Sequence, residues 1–382
     1  MTGLREHLER LVAFPTVSTD SNLDCIAYCR DVLEAAGARC ETQLDATGQK
    51  ANLWASFGPE GDGGVILSGH VDVVPVEGQD WSSDPWTLTE RDGRLYGRGT
   101  CDMKGFVACV LAEARAFAEA KTPVHIALTY DEEIGLYGAR ALVEHLKARG
   151  IRPDLAIIGE PTDMTVIEGH KGCNEYVFEI TGLEGHGSRT DLGVNAGVAA
   201  ARIAVALTDA AEEAAKSYPA NAHEPPWPTC NIGEIHAGTT MNVIPGQARL
   251  GLEMRLIEDS DADLIVNRVA RWAEETLLPP MRARHPGADI VMTCTGESPP
   301  FLARAENPAR DLLLRLTGHN EAGLVSYCTE AGVWCELDGL SAAICGPGSI
   351  LQAHKPDEYV TPEQLESCAR LLRRIAQEAC SA

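Results

Sequence analysis

The sequence predicts an α/β protein with a mainly parallel sheet, interrupted by an inserted ferredoxin-like α+β domain. In residues 1–172, short apolar runs alternate with helical periodicity, which is typical of a parallel sheet covered by helices. In residues 173–297 the predicted order becomes β-α-β-β-α-β, as in a ferredoxin-like module. The helix–strand rhythm resumes in residues 298–382, which we expect to complete the first domain.

The first domain begins with two amphipathic helices, Leu4–Phe14 and Leu23–Ala36, and the second is predicted to end at Gly37. After them, short apolar runs bounded by turn residues indicate buried strands. Strands are predicted at Val65–Ser68, Val124–Tyr130 and Leu155–Ile158, and further helices at Lys104–Ala120 and Gly138–Arg149.

The inserted domain is recognised by a change of pattern, because its first strand alternates apolar and polar residues as half-exposed strands do. Its strands are predicted at Glu175–Thr181, Asn231–Ala237, Gln247–Ile257 and Ala288–Thr295, and its helices at Val194–Ala215 and Ser260–Leu278.

Composition excludes several classes of function. The chain has 382 residues, 45% of them hydrophobic, and a formal net charge of −24, which argues against nucleic acid or an anionic membrane as partner. No apolar segment approaches the length of a membrane span, and the N-terminus lacks the apolar region of a secretory signal. The 13 cysteines contain no CxxC pair, so we expect reduced thiols and a cytoplasmic protein.

Six polar residues that are far apart in the sequence follow predicted strands or lie in loops marked by Gly and Pro. Because the carboxyl ends of parallel strands meet at one edge of a sheet, we expect these side chains to converge. Imidazole mixed with carboxylate oxygens suits Zn²⁺ or a similar ion, so the sequence predicts a dinuclear metal site. The six residues are His70, Asp102, Glu132, Glu133, Glu160 and His354.

Neighbouring residues suggest further roles at this site. Asp72 lies two residues after His70, on the same strand face, and can orient the imidazole through a hydrogen bond. The adjacent Glu132 and Glu133 would point in different directions, one towards metal and one towards a bound water, and Asp102 could bridge two ions. Taken singly, each motif also fits a polar strand end or a solvated loop.

Together with several longer strings, these residues resemble the dinuclear zinc aminoacylase and carboxypeptidase-G-like amidohydrolases, almost from end to end. The resemblance is carried by Phe14–Ser18, Asp45–Gly48, Lys50–Leu53, Trp81–Pro85, Tyr96–Gly105, Tyr327–Gly332, Gly346–Ser349 and Ala353–Tyr359. It implies a zinc-peptidase catalytic domain, with the inserted domain serving as lid and dimerisation domain of a homodimer.

The resemblance also implies a role for each site residue and two divalent ions per subunit, Zn²⁺ first and Co²⁺ as an alternative. One ion would bind His70 and Glu160, the other Glu133 and His354, with Asp102 bridging, Asp72 orienting His70 and Glu132 as general base. His186 would reach the partner subunit's site and stabilise the oxyanion. The substrate-binding positions would be Asn242 and Arg255, and we expect Thr329 to assist Arg255. From the place of Glu330 in Tyr327–Gly332, we hypothesise that it faces a side-chain ammonium of the substrate.

The expected substrate is a small acyl-amino acid. The strings Tyr327–Gly332 and His354–Tyr359 resemble the branch of the family that hydrolyses N2-acetyl-L-ornithine to L-ornithine and acetate in arginine biosynthesis. Removal of a succinyl group from succinyl-diaminopimelate and a broader aminoacylase or dipeptidase activity remain alternatives, because they use the same metal site. A homologue that binds metal without turnover is less favoured, since no ligand and no general base is missing. A cocatalytic aminopeptidase is less favoured because Arg255 and the inserted domain indicate a substrate with a free carboxylate.

Overall fold

The computed structural model describes residues 2–381, which divide into two compact units. The first unit is built from the chain up to Gly169, from Ala303–Leu324 and from Thr329 onwards. The second comprises His170–Leu302 and Val325–Cys328. In the described residues, no helix is long and apolar enough to cross a membrane.

The first stretch of the first unit alternates helices and strands. Its helices are α1 (Thr2–Val12), α2 (Leu23–Ala35), α3 (Lys104–Glu113), which continues as a 3₁₀ turn over Ala114–Phe117, and α4 (Tyr137–Arg149). Its strands are β1 (Arg39–Leu44), β2 (Ala51–Phe57), β3 (Val65–His70), β4 (Thr89–Arg91), β5 (Arg94–Tyr96), β6 (Val124–Thr129), β7 (Leu155–Pro161) and β8 (Ile167–His170).

The second unit is an antiparallel sheet in the order β11-β13-β9-β14 with helices packed on it. Its strands are β9 (Gly172–Thr181), β10 (Gly185–His186), β11 (Thr229–Ala237), β12 (Val243–Ile244), β13 (Gln247–Leu256) and β14 (Asp289–Ser298). Its helices are α5 (Ala196–Ser217), α6 (Asp261–Leu264), α7 (Val266–Trp272) and α8 (Leu278–Arg284), with a π turn over Ala273–Leu277. On β13 every second residue is buried, as expected for a strand with one face on helices.

One predicted helix of this unit, Ser260–Leu278, is interrupted and runs further than expected. The structure divides it into α6 and α7 and continues through the π turn into α8. Pro279 and Pro280 explain the continuation, because proline is accepted in the first turn of a helix, where its missing N–H has no partner to lose.

The last stretch of the chain completes the first unit. It contains α9 (Pro308–Thr317), β15 (Gly323–Val325), α10 (Ala331–Trp334), β16 (Ser341–Gly346), β17 (Tyr359–Val360) and α11 (Pro362–Ser381). Helix α9 begins after Asn307, whose side chain accepts the N–H of Arg310, and ends at Gly318 in the left-handed conformation.

The large sheet of the first unit has eight strands in the order β1-β2-β6-β3-β7-β16-β8-β15. Its four middle strands, β6, β3, β7 and β16, run parallel, whereas β1, β2 and β8 pair antiparallel. The predicted α/β class with a mainly parallel central sheet is therefore confirmed. Parallel pairing brings the carboxyl ends of the four middle strands to one edge, and these strands are almost wholly buried.

Candidate metal centre

The predicted metal ligands follow or end the parallel strands of the first unit. His70 is the last residue of β3, Glu133 lies four residues after β6, and Glu160 is near the end of β7. His354 lies in the loop after β16, and Asp102 lies in the turn before α3. The carboxyl edge of the sheet therefore collects five residues that span most of the sequence.

Asp102 lies at the centre of this cluster and reaches both histidines. Its Oδ1 is 3.1 Å from His70 Nε2, and its Oδ2 is 3.3 Å from His354 Nε2. Glu133 Oε2 is 2.9 Å from His354 Nε2, and Glu160 Oε1 is 3.6 Å from His70 Nε2. The geometry thus forms two halves, one around each imidazole, joined by a single carboxylate.

The donor atoms fit divalent metal ions. Two buried carboxylate oxygens, Glu133 Oε1 and Glu160 Oε1, have no hydrogen-bond partner among the described residues, which is costly for charged groups. Ligand atoms of His70, Asp102 and Glu133 lie within 4.8 Å of one another, as do those of His70, Glu132 and Glu160. Nitrogen and carboxylate oxygen donors packed this closely suit a borderline divalent ion such as Zn²⁺.

The buried carboxylates also attract positive charge. Burial, reinforced by the charge of Asp102, raises the pKa of Glu133 to about 7 and that of Glu160 well above its usual range. Hydrogen bonds to Asp102 and Glu133 raise the pKa of His354 to about 10. Burial opposes protonation of His70, but the hydrogen bond to Asp102 and nearby carboxylates outweigh it and raise its pKa. The cluster is therefore built to hold cations.

Asp72 supports the cluster in a different way from the one expected. The Nδ1 of His70 lies 2.9 Å from the backbone carbonyl oxygen of Asp72, while the Asp72 carboxylate is 3.6 Å away. That carboxylate instead accepts hydrogen bonds from the backbone N–H groups of Glu132 and Glu133 and from the Ser18 hydroxyl. Asp72 thus orients the imidazole with its main chain and holds the Glu132–Glu133 turn with its side chain.

Asp102, which contacts both histidines, is held in place by Glu358, a residue without a predicted role. The carboxylate of Glu358 accepts the backbone N–H groups of Gly99, Cys101 and Asp102 at 3.1, 2.9 and 3.0 Å. It also accepts a 2.7 Å hydrogen bond from Arg98 Nη1, and both side chains are only 1% exposed. Glu358 lies in the segment Ala353–Tyr359, which carries part of the family resemblance. Its role was not predicted, because the turn that it binds lies 256 residues earlier in the sequence.

A profile of the peptidase family M20/M25/M40 matches residues 66–378. The chain belongs to this family. It is 37% identical over 385 residues to the acetylornithine deacetylase of Myxococcus xanthus, with 100% of this chain and 98% of that protein covered. It is 34% identical over 380 residues to the acetylornithine deacetylase of Shigella sonnei (strain Ss046), with 97% and 96% covered.

Solved structures of the M20 family share the fold. An M20 family metallo-carboxypeptidase from Sulfolobus solfataricus matches with a TM-score of 0.78 at 17% identity, over 100% of both chains. A tripeptidase from Staphylococcus aureus also gives 0.78 at 17% identity, over 100% of this chain and 99% of that one. Family membership, together with the cluster of ligand atoms, makes this M20 protein a metal-dependent amidohydrolase.

Two predicted substrate-binding residues of the first unit are buried. Thr329 is 0% exposed, and its Oγ1 accepts the N–H of Ala331 at the start of α10. Glu330 is 1% exposed, and both its carboxylate oxygens accept hydrogen bonds from hydroxyl groups. Ser68 Oγ donates to Oε2 at 2.7 Å, and Thr129 Oγ1 donates to Oε1.

These contacts correct the expectation for Glu330. A carboxylate that binds a substrate ammonium needs an oxygen facing the substrate, but both oxygens of Glu330 are turned inwards, onto β3 and β6. The Trp334 indole N–H, 3.5 Å from Oε2, completes this buried environment. Glu330 thus connects β3 and β6, the two strands that lead to His70 and to the Glu132–Glu133 turn.

The remaining predicted residues belong to the second unit. His186 is exposed on the β10–β12 ribbon, and its Nδ1 lies 2.8 Å from Ser188 Oγ. Asn242 is on the same ribbon, where its carbonyl oxygen accepts the N–H of Gly187 at 2.7 Å. A Cβ at Gly187 would lie 3.0 Å from the Asn242 backbone, so glycine allows this close approach.

Arg255 is half-buried on β13 and already has an acidic partner. Its Nε and Nη2 donate to the two carboxylate oxygens of Glu253 at 2.7 and 3.1 Å, as a bidentate pair. Its Nη1 donates to Cys328 Sγ at 3.7 Å. A substrate carboxylate would therefore have to compete with Glu253 for this guanidinium.

Proposed function

We propose that this M20 hydrolase converts N2-acetyl-L-ornithine to L-ornithine and acetate, a step of arginine biosynthesis. The observation that supports the substrate is identity of 37% and 34% to two acetylornithine deacetylases over nearly the whole chain. The complete set of ligand residues and the presence of Glu132 support turnover.

The site would hold two divalent ions, Zn²⁺ by preference and Co²⁺ as an alternative. His70 and Glu160 would hold one ion, Glu133 and His354 the other, and Asp102 would serve both. The 3.1 and 3.3 Å distances from Asp102 to the two imidazoles support this division. When bound, the ions polarise the amide carbonyl and lower the pKa of a water molecule.

Glu132 would act as the general base. Its main chain is fixed by the Asp72 carboxylate, and its side chain is close to His70 and Glu160. Glu133 points instead to His354, so the two adjacent carboxylates serve different halves of the cluster. Glu132 would take a proton from the attacking water and pass it to the leaving amine.

Substrate recognition would use His186, Asn242, Arg255 and Thr329. His186 would donate a hydrogen bond to the oxyanion, and Arg255, assisted by Thr329, would bind the substrate carboxylate. We also propose a homodimer formed through the second unit and a cytoplasmic location, the latter supported by the 13 free cysteines.

Metal removal tests this function. Protein treated with a chelator should release no acetate from N2-acetyl-L-ornithine, and addition of Zn²⁺ or Co²⁺ should restore the release. Turnover that is fully retained after the metal content falls to background would contradict the proposal.

A further inference from the structure

Two cysteines of the second unit meet beside Arg255. Cys173 on β9 is directly opposite Arg255 on β13 and Ser298 on β14. Cys328 accepts the Arg255 Nη1 hydrogen bond at 3.7 Å, and the two thiols are joined by a hydrogen bond. Both cysteines are half-buried.

The surrounding charges favour one thiolate in this pair. The hydrogen bond from Cys173 and the positive charge of Arg255, with a further hydrogen bond from Ser298, outweigh burial and lower the pKa of Cys328 to about 6. The same hydrogen bond and burial raise the pKa of Cys173 far above its usual range. Glu253 accepts hydrogen bonds from Nε and Nη2 of the guanidinium, and Nη1 donates to Cys328.

A neighbouring cysteine gives the contrast. Cys230 is also half-buried and is paired with Met254, one residue before Arg255. Burial raises the pKa of Cys230 to about 11. Position in the sheet and partial exposure therefore do not lower the pKa of a cysteine here, whereas contact with the guanidinium and a second thiol lowers that of Cys328.

We propose that Cys173 and Cys328 form a redox-sensitive dithiol that a hydroperoxide converts to a disulfide. The Cys328 thiolate attacks a peroxide oxygen, forming a sulfenic acid and releasing hydroxide or alkoxide. The Cys173 sulfur then attacks the sulfenic sulfur, and the thiol proton leaves with the hydroxyl group as water. The two electrons lost by the sulfurs reduce the peroxide, and a dithiol reductant reverses the change.

None of these residues is one that would hold metal, and the inference does not depend on the proposed substrate. It assigns a function to Cys328 within the string Tyr327–Gly332, which was noticed in the sequence without an explanation for its cysteine. Oxidation would also remove the thiolate charge from beside Arg255.

The first test is oxidation of the full-length, metal-loaded protein with one equivalent of hydrogen peroxide at pH 7, followed by thiol blocking and peptide mass spectrometry. The expected main product is a Cys173–Cys328 cross-linked peptide that dithiothreitol removes. In the untreated protein, iodoacetamide should alkylate Cys328 at least about 10-fold faster than Cys230. Equal alkylation rates, or cross-links that exclude this pair, would overturn the proposal.

Variants distinguish oxidation of Cys328 from formation of the disulfide with Cys173, and test the effect of Arg255 on the thiolate. In Cys173→Ser, peroxide should leave Cys328 as a sulfenic acid that dimedone traps, whereas Cys230→Ser should form the same cross-link as the parent protein. Arg255→Gln should slow alkylation of Cys328, and Arg255→Lys, which keeps a cation, should restore most of the rate. An unchanged alkylation rate in folded Arg255→Gln protein would show that the guanidinium does not sustain the thiolate.

Discussion

At the scale of single residues, the candidate site depends on how one turn directs two adjacent carboxylates. Asp72 holds the backbone of both Glu132 and Glu133, and the side chains then separate towards different histidines. Asp102 connects the two halves with one oxygen each. Small changes at these positions should therefore affect proton transfer and metal binding separately.

Glu132→Gln tests the proton-transfer role. Because the amide cannot accept a proton, we expect kcat on N2-acetyl-L-ornithine to fall by about 10²–10⁴-fold while metal content stays at the parent level. Steady-state kinetics and elemental analysis measure both, and the exposed Glu144→Gln on α4 is the control. If kcat is retained, another group is the base.

Glu330→Gln tests the corrected role of the buried carboxylate. Since both oxygens accept hydroxyl hydrogen bonds inside the first unit, we expect a loss of stability of about 1–3 kcal/mol, measured by denaturant unfolding. The preference for cationic over neutral acyl-amino acids should not change. A selective loss of the cationic substrate would restore the original hypothesis.

At the scale of elements, the position of Asp102 depends on a turn that donates hydrogen bonds to Glu358, more than 250 residues later in the sequence. Glu358 accepts three N–H groups of the turn Gly99–Asp102 and the Arg98 guanidinium. These hydrogen bonds join the loop before β17 to the loop before α3 at Asp102 itself. We therefore expect the contact between Glu358 and this turn, and not only Asp102 itself, to determine metal affinity.

Glu358→Gln should therefore weaken metal binding by about 10- to 100-fold, because its amide N–H₂ cannot accept the turn's N–H groups. Calorimetric titration gives the affinity, and the visible spectrum of the Co²⁺ form reports the changed coordination. Unfolding free energy should also fall by about 3–5 kcal/mol, since Arg98 keeps a buried, unpaired charge. The exposed Glu366→Gln on α11 should change neither, and an unaltered affinity and spectrum in Glu358→Gln would disprove the positioning role.

The β2–β6 contact predicts a pH effect on stability. His125 stacks on Trp54, hydrogen-bonds to Ser56 and is 6% exposed. Burial lowers its pKa from 6.5 to about 4, so the unfolded chain binds a proton more readily between these values. The unfolding free energy should therefore fall as pH drops below 6.5, by about 2 kcal/mol from this group at pH 5. His125→Asn should flatten that part of the pH dependence in urea unfolding, and an identical slope would contradict the assignment.

The sequence predicted several of the elements that have a strong apolar pattern. Buried strands β3, β6 and β7 and helices α1, α2 and α5 were predicted within a few residues, because apolar runs and helical periodicity indicate them directly. Strand β1 was not predicted, since Arg39–Leu44 is polar and half-exposed at the sheet edge. The short strand β17 pairs with β5, which is more than 200 residues earlier, so no local pattern indicates it.

The site residues also divide into those that a local pattern predicts and those whose role depends on distant partners. His70 and Glu160 could be found because they end apolar runs, and parallel strands bring such ends together. The roles of Glu330 and Glu358 could not be read, because both are buried carboxylates whose partners are hundreds of residues away. Glu330 is buried and accepts hydrogen bonds from Ser68 and Thr129, and the residues next to it in the sequence do not indicate these contacts.

At the scale of the whole molecule, family and chemistry are better determined than the substrate. The M20 fold, the two-sided cluster and the adjacent Glu132 account for amide hydrolysis by metal-dependent chemistry. Acetyl and succinyl amides of basic amino acids would use the same ligands, so the metal site cannot distinguish them. The proposal for acetylornithine instead follows from similarity along the whole chain.

The central claim is tested most directly by kcat/KM of the Zn²⁺-loaded protein on N2-acetyl-L-ornithine and on N-succinyl-L,L-diaminopimelate, measured side by side. We expect acetylornithine to be favoured by at least about 100-fold, the discrimination that a site fitted to one acyl group can achieve. A preference for the succinyl substrate would contradict the proposed function, as would no turnover of acetylornithine by protein with both metal sites filled.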